Sequence, residues 1–238
     1  MKFKREYVLY STVITAVLTL ILLSSITISR ITSIVAMSSA TESRTTVVID
    51  AGHGGIDGGA VSCTGAYESH INLQIALKLR DLLNLLGIQT KMIRTEDISV
   101  YTSGQTIATK KVSDLKERIR IINKTDNAIL ISIHQNYFSD NRYSGAQVFY
   151  NKTHSELAAQ LQSNFIETIN PGSRRQIKQA RGIYLLDNIS CPAALIECGF
   201  LSHPEEEYLL RTNTYQQHIC NVIATSVSCY ISNNLTQG

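Results

Sequence analysis

The N-terminal part of the chain carries a long apolar pattern without interruption. Basic residues at positions 2, 4 and 5 precede an uncharged stretch from Tyr7 to Ser29, and a helix that crosses a membrane needs about 20 such residues. Basic residues ahead of the stretch place everything after it on the outer side of the membrane. We therefore expect residues 1–29 to be a membrane anchor or signal segment. The small residues Ser38, Ser39 and Ala40 offer a cleavage site, which leaves cleavage open.

A different pattern begins after a linker rich in Ser and Thr, residues 30–44. The β-branched run at 46–49 ends in a glycine-rich loop, which predicts a buried strand followed by a tight turn. Apolar residues then recur at helical spacing from Ile71 to Leu86, and Gly87 marks the expected end of that helix. A strand over 90–94 completes a βαβ unit.

The alternation of strands and helices continues to the end of the chain. We predict further helices at about 115–122, 157–169 and 215–231, and further strands at 128–133, 147–150 and 193–196. Strands that alternate with helices form a largely parallel sheet with helices on both faces. The predicted fold class is therefore α/β, with a single domain over residues 45–238, because about 190 residues suit one core.

Composition narrows the classes of function. Hydrophobic residues make up 44% of the chain and charged residues 17%, so the chain can bury a core and is not of the disordered class. The formal net charge is only +3, and no long run of Lys and Arg follows the linker. We therefore expect no nucleic-acid partner, since such binding needs a basic stripe for phosphates.

Side chains that bind metals or carry protons collect at one edge of the predicted sheet. His53, His134 and Glu197 lie at or just beyond the carboxyl ends of predicted strands, and Glu68 lies at the start of the first helix. Reactive groups of open α/β sheets gather at this edge. Two imidazoles and one carboxylate make a common three-residue zinc site, and a further carboxylate can act as a base. The arrangement suits hydrolysis with one Zn²⁺ per chain.

Each of these residues also has a purely structural interpretation. His53 can cap a turn, and its glycine-rich loop can instead present backbone amides to a phosphate. Glu68 alone fits a first-turn carboxylate favoured by the helix dipole. The remaining histidines lie on predicted helix faces or loops, and we expect them to be exposed or structural: His70, His154, His203 and His218.

Four motifs in order resemble the zinc N-acetylmuramoyl-L-alanine amidases of the Amidase_3 type. They cover about residues 45–232 and comprise 48–55 (VIDAGHGG), Glu68 with Asn72 and Leu73, 132–136 (SIHQN) and 196–202 (IECGFLS). The resemblance implies zinc ligands at His53, Glu68 and His134 and a catalytic carboxylate at Glu197. It implies peptidoglycan as the substrate, cut between muramic acid and L-alanine.

Further segments resemble the germination-specific amidases of endospore formers more closely. These segments are 114–118, 144–147, 181–185 and 193–197. The resemblance implies action on the spore cortex, where removal of peptides allows muramic-δ-lactam to form. It also implies a domain on the outer face of the membrane, in the forespore or spore envelope. A protein activator is a further expected partner.

Two residues are candidate contacts for the substrate, Arg118 and Asn136. Arg118 can hold a substrate carboxylate, although its place on a predicted helix favours a surface charge. The sequence departs from the family's usual residues at Ala51, Gln135 and His203, which puts substrate fit in question more than chemistry.

Two alternatives to the amidase stay open on the residues alone. One is another zinc hydrolase, a peptidase or a deacetylase, whose sites use similar ligands. The other is a wall-binding module without catalysis.

Overall fold

A computed structural model of the chain describes residues 45–152 and 154–235. The predicted membrane segment, 1–29, and nearly all of the predicted linker, 30–44, lie outside these residues. Among the helices that the structure describes, none is both long and apolar enough to cross a membrane.

The described strands form one mixed sheet, in the order β2-β1-β3-β6-β4-β5. Strands β1, β2, β3 and β6 run parallel, whereas β4 runs antiparallel to β6, and β5 follows the direction of β4. Their bounds are β1 (Thr46–Ala51), β2 (Gln89–Met92), β3 (Ala128–Asn136), β4 (Gln147–Tyr150), β5 (Lys178–Gln179) and β6 (Ala193–Phe200).

The largely parallel sheet that we predicted is present, with one antiparallel pairing, that of β4 with β6. Only residues 137–146 connect β3 to β4, and a parallel return needs a crossover of about a dozen residues or more. The chain therefore turns back across the end of β6 and enters β4 in the opposite direction. Strands β1 and β2 and the two strands that carry His134 and Glu197, β3 and β6, are parallel as expected.

Helices cover both faces of the sheet. Val47 and Ile49 point into a core with α1, α3 and α6, whereas Val48, between them, points into a second core with α2 and α4. This alternation follows from the period of two along a strand, and continuous apolar runs are typical of strands buried on both faces. The helices are α1 (Glu68–Leu85), α2 (Ile107–Asn123), α3 (Glu156–Thr168), α4 (Tyr184–Asp187), α5 (Pro204–Leu210) and α6 (Asn213–Leu235).

Helix α2 begins earlier than the apolar pattern predicts. Its first turns are solvated, with Ile107 exposed, so they show no apolar stripe. A capping box fixes the start instead, in which the side chains of Thr106 and Thr109 accept each other's backbone N–H groups. Helices α4 and α5 and strand β5 are too short to produce a periodic pattern, so the sequence does not predict them.

Candidate metal centre

Three strand ends and one helix start bring the predicted site residues together. His53 follows β1, His134 lies near the carboxyl end of β3, and Glu197 lies beside His134 on β6. Glu68 is the first residue of α1. The parallel strands β1, β3 and β6 all end at this edge of the sheet, which is where open α/β sheets bind ligands.

His53, Glu68 and His134 form a cluster that can hold a metal ion. Glu68 Oε2 lies 3.2 Å from His53 Nε2, and Glu68 Oε1 lies 3.0 Å from His134 Nδ1. One ligand atom from each residue lies within 4.8 Å of the other two. The imidazole rings meet edge to face, with centroids 5.0 Å apart. This set of donors is a common one for Zn²⁺ and leaves a fourth position open.

Glu68 is buried, and surrounding donors fix its carboxylate. Its Oε1 atom accepts hydrogen bonds from the Gln135 backbone N–H at 3.1 Å and from Asn72 Nδ2 at 3.1 Å. Burial raises the pKa of Glu68, but hydrogen bonds with the two histidines outweigh burial and hold this pKa far below its usual range. The carboxylate is therefore charged and already oriented toward the position that a cation would take.

Asp57 orients the first histidine, although no motif or pattern in the sequence predicts this contact. His53 Nδ1 lies 3.0 Å from Asp57 Oδ2, and Lys111 Nζ lies 2.8 Å from Asp57 Oδ1. Burial alone would lower the pKa of His53, but hydrogen bonds with Asp57 and Glu68 raise it to about 9. A carboxylate behind a metal-binding histidine fixes the ring and its tautomer. The only signal in the sequence is an acidic residue four positions after His53.

Two glycines allow the backbone to approach the ligands closely. A Cβ atom at Gly52 would lie 2.2 Å from His134 Cε1, so the imidazole occupies the space that any side chain there would need. A Cβ atom at Gly59 would lie 2.6 Å from Glu68 Oε2 and 2.7 Å from His53 Cδ2, and its φ of +69° also favours glycine. The glycine-rich loop is therefore shaped around the ligands.

Glu197 has the environment expected of a proton carrier. Its Oε2 atom is buried and has no hydrogen-bond partner among the described residues. Burial raises the pKa of Glu197 to about 7, although the neighbouring His134 opposes the shift. A carboxyl group with a pKa near neutrality can both accept and return a proton. Glu197 is not part of the three-residue cluster.

A cleft of about 250 Å³ opens onto His53 and His134 from the α2 and α4 side of the sheet. Lys111, Asp114 and Arg118 line its α2 wall, and residues 183–185 line the opposite wall. The cleft therefore exposes two members of the cluster between charged and apolar side chains.

The two candidate substrate contacts lie in different surroundings. Arg118 lines the cleft but is buried, so the expectation of a surface charge is wrong. Its guanidinium already contacts Asp50 and Asp114. Asn136 is half-buried at the end of β3, where its carbonyl accepts a hydrogen bond from the Leu201 backbone N–H at 2.8 Å.

The other histidines take no part in the cluster within the described residues. His70 is exposed, and its Nε2 lies 3.0 Å from Asp97 Oδ2. His203 caps helix α5, where its Nδ1 accepts a hydrogen bond from the Glu206 backbone N–H at 3.3 Å. These placements confirm the exposed or structural roles predicted for the two residues.

Comparison with known proteins establishes the family. The sequence profile of Amidase_3, described as N-acetylmuramoyl-L-alanine amidase, matches residues 47–229. The chain belongs to this family. It is an N-acetylmuramoyl-L-alanine amidase that acts on peptidoglycan, which removes the alternatives of a peptidase, a deacetylase or a non-catalytic module.

Individual relatives agree with this assignment. The germination-specific N-acetylmuramoyl-L-alanine amidase of Bacillus subtilis (strain 168) is 34% identical to this chain. The aligned region covers 78% of this chain and 79% of the length of that amidase. The CwlD amidase of Clostridioides difficile, solved in complex with the GerS lipoprotein, is 37% identical with a TM-score of 0.76, over 79% of this chain and 99% of that one. The AmiC2 amidase of Nostoc punctiforme is 25% identical with a TM-score of 0.67, over 79% of this chain and 97% of that one.

Proposed function

We propose that this amidase uses one Zn²⁺ per chain, held by His53, Glu68 and His134, and that Glu197 carries the proton of the reaction. The observation that supports the proposal is the convergence of the three ligand atoms within 4.8 Å of one another. The donor chemistry fits, since two imidazoles and a carboxylate bind zinc and leave a position open for water or substrate.

A second observation supports a metal at this position. Glu197 keeps a buried Oε2 atom without a hydrogen-bond partner among the described residues, and such an atom is costly unless a ligand, ion or water meets it. Zinc in a site of this kind acidifies water and polarises a carbonyl oxygen.

The protein's own residues supply the remaining steps. The cleft between α2 and α4 admits the muramoyl group, so that its lactyl carbonyl faces the cluster. Glu197 accepts the proton of the attacking water at its free Oε2 atom and then donates that proton to the departing L-alanine nitrogen. Asp57 holds His53 in one orientation throughout, because its carboxylate contacts the ring nitrogen that faces away from Glu68.

The biological setting that we infer is the spore cortex. The supporting observation is the similarity to the germination-specific amidase of Bacillus subtilis and to the CwlD amidase of Clostridioides difficile. In this setting the enzyme removes peptides from selected muramic acid residues, and the freed lactyl carboxylate closes into muramic-δ-lactam after a separate deacetylation.

The placement of the enzyme is part of the same proposal. Residues 1–29 anchor the chain in the membrane or direct its export, with the amidase domain on the outer face, in the forespore or spore envelope. Since the CwlD amidase was solved in complex with a lipoprotein, a lipoprotein is the kind of protein activator we expect here.

Digestion of purified peptidoglycan by the full-length chain tests the chemistry. Mass spectrometry of the products should show free L-alanine amino groups paired with free muramic lactyl groups. A chelator should abolish both, and added zinc should restore them. Cleavage within the peptide or between sugars, or full activity in metal-free enzyme, would contradict the proposal.

A further inference from the structure

The backbone carbonyls around His53 accept hydrogen bonds from two buried arginine side chains. Where β1 leaves the sheet, the Gly52 backbone N–H makes a last bond of 3.0 Å to the Ile133 carbonyl. His53 then adopts a φ of 60°, in the left-handed region that a non-glycine residue keeps only when its surroundings enforce it. The carbonyls of Ala51, Gly52 and His53 all accept hydrogen bonds from buried arginines.

Arg94 joins the segment that carries His53 to the helix start that carries Glu68. Its Nε donates to the Ala51 carbonyl at 2.8 Å. Its Nη2 donates to the Gly52 carbonyl at 3.1 Å and to the Ser69 carbonyl at 2.9 Å. Since Gly52 precedes His53 and Ser69 follows Glu68, one guanidinium group fixes the distance between the backbones of two ligands.

Arg118 holds the same loop with a second guanidinium group. Its Nη2 donates to the His53 carbonyl at 2.7 Å, and its Nη1 donates to the Ala51 carbonyl at 3.1 Å and to Asp50. Its Nε donates to Asp114 Oδ2 at 2.6 Å. Every nitrogen of this guanidinium is thus engaged with the protein, and the two carboxylates compensate its buried charge.

We propose that Arg94 and Arg118 are positioning residues of the metal centre, which set the backbone of His53 relative to Glu68, and that Arg118 does not serve to bind the substrate. The inference rests on the proposed function, because it takes His53 and Glu68 as zinc ligands. Arginine is suited to this role, since its planar group presents five donors in fixed directions, whereas lysine presents a single flexible ammonium. Lysine keeps the positive charge, but its single nitrogen does not reproduce the fixed fork with which each arginine binds several carbonyl groups.

The test compares Arg118→Lys and Arg94→Lys with Arg120→Lys in the full-length chain, purified in a mild detergent. Arg120 lies on the same helix as Arg118, but its side chain is half exposed. Within the described residues, that side chain forms an ion pair with Glu117 only. The measurements are zinc affinity by competition with a chromogenic chelator, circular dichroism, and kcat and KM at saturating zinc.

A positioning role predicts weaker zinc binding with little change in KM. Loss of a residue that orients metal ligands typically costs about 10- to 100-fold in metal affinity, and we expect this loss for Arg118→Lys and Arg94→Lys but not for Arg120→Lys. A substrate-binding role for Arg118 predicts the opposite, a higher KM with unchanged zinc affinity. That result, or no change in either quantity, overturns the inference.

Asp114→Asn provides a second test in case a lysine variant fails to fold. It removes one charge that anchors Arg118 but leaves Asp50 to compensate the guanidinium. We expect the zinc affinity of Asp114→Asn to fall, but by less than that of Arg118→Lys. If this variant folds and its zinc affinity is unchanged, the positioning role of Arg118 is contradicted. If the wild-type chain itself binds no zinc, the proposed function fails rather than this inference alone.

Discussion

His134 and Glu197 lie side by side on the neighbouring parallel strands β3 and β6, in direct register. The strands also register Leu130, Ile131, Ser132 and Ile133 with residues 193–196, and the register shifts only after this pair, between His134 and Asn136. The proposed ligand and the proposed proton carrier are therefore held on adjacent strands of one sheet. Rigid elements hold catalytic groups more precisely than loops do.

Glu197→Gln should separate metal binding from turnover. The amide keeps the size of the side chain but cannot accept a proton, so we expect near-normal zinc content and a loss of turnover of about 100- to 10,000-fold. Elemental analysis and wall digestion measure the two quantities. Glu205→Gln, at an exposed glutamate on α5, is the control and should change neither. Loss of zinc from Glu197→Gln would make Glu197 a metal ligand.

Replacing His53, Glu68 or His134 by Ala should remove zinc and activity together. Each residue is one of the three proposed protein ligands, so we expect metal content to fall in every variant, with circular dichroism still native. Wild-type protein that is stripped by a chelator should recover activity with zinc, whereas these variants should not. A variant that keeps both its zinc and its activity would exclude that residue from the ligand set.

Zinc binding should release protons at neutral pH. The pKa of His53 is raised to about 9 in the metal-free protein, so its ring is protonated at pH 7, whereas a zinc-bound imidazole must be neutral. Zinc affinity should therefore rise as the pH increases from 7 to 9. Calorimetry in buffers of different ionisation enthalpy should show release of about one proton per chain from this residue.

Asp57→Asn tests whether the proton released on zinc binding comes from His53. It removes a carboxylate that raises the pKa of His53, so fewer protons should be released at pH 7 than from the wild type. Equal release from the two proteins would mean that the protons come from another group.

Gly52→Ala should weaken zinc binding, because the added methyl group needs the space that the His134 ring occupies. The added Cβ would lie 2.2 Å from the His134 ring, so the imidazole must leave its position and zinc affinity should fall. Gly199→Ala is a suitable comparison, because its added Cβ would lie no closer than 3.2 Å to a Leu210 methyl group. Equal zinc affinity in both variants would show that His134 is not a ligand in this position.

Deletion of residues 1–44 should leave a soluble, folded enzyme. The described domain begins at Thr45, and β1 is buried from its first residue onward. Native circular dichroism and retained wall digestion are the expected results. An insoluble product without native signal would place the domain boundary nearer to the N-terminus.

Muropeptide analysis of spores tests the biological setting. Without the gene, or with only the Glu197→Gln form, the cortex should lack muramic-δ-lactam and the spores should fail to complete germination. Vegetative growth should stay normal. An unchanged lactam content would exclude the cortex role while leaving the amidase chemistry in place.

The sequence predicts the framework of this protein well because buried parallel strands leave a clear pattern. A short, continuous apolar run such as residues 128–133 is typical of a strand that is covered on both faces. The polar residues that follow two of these runs, His134 and Glu197, identify the edge of the site. Family motifs then assign roles that the pattern leaves open.

The sequence does not reveal contacts that depend on long-range packing. Arg118 sits at a helical position typical of a surface charge, and only the fold shows that Asp50, 68 residues away, meets its guanidinium. Asp57 and Arg94 carry no periodic signal, since one lies in a loop and the other just beyond a short strand. The reversed direction of β4 depends on the length of a loop rather than on its residues.

That reversal gives the protein a loop whose residues stand outside the cluster. Residues 137–146 run from β3 to β4 across the end of β6, and none of them belongs to the cluster of His53, Glu68 and His134. The segment is anchored near its start, where the Phe138 backbone N–H donates to Ser202 Oγ at 3.1 Å, and it carries the exposed rings of Tyr137, Phe138 and Tyr143. Substitutions in this segment therefore change an exposed aromatic surface without replacing any member of the cluster.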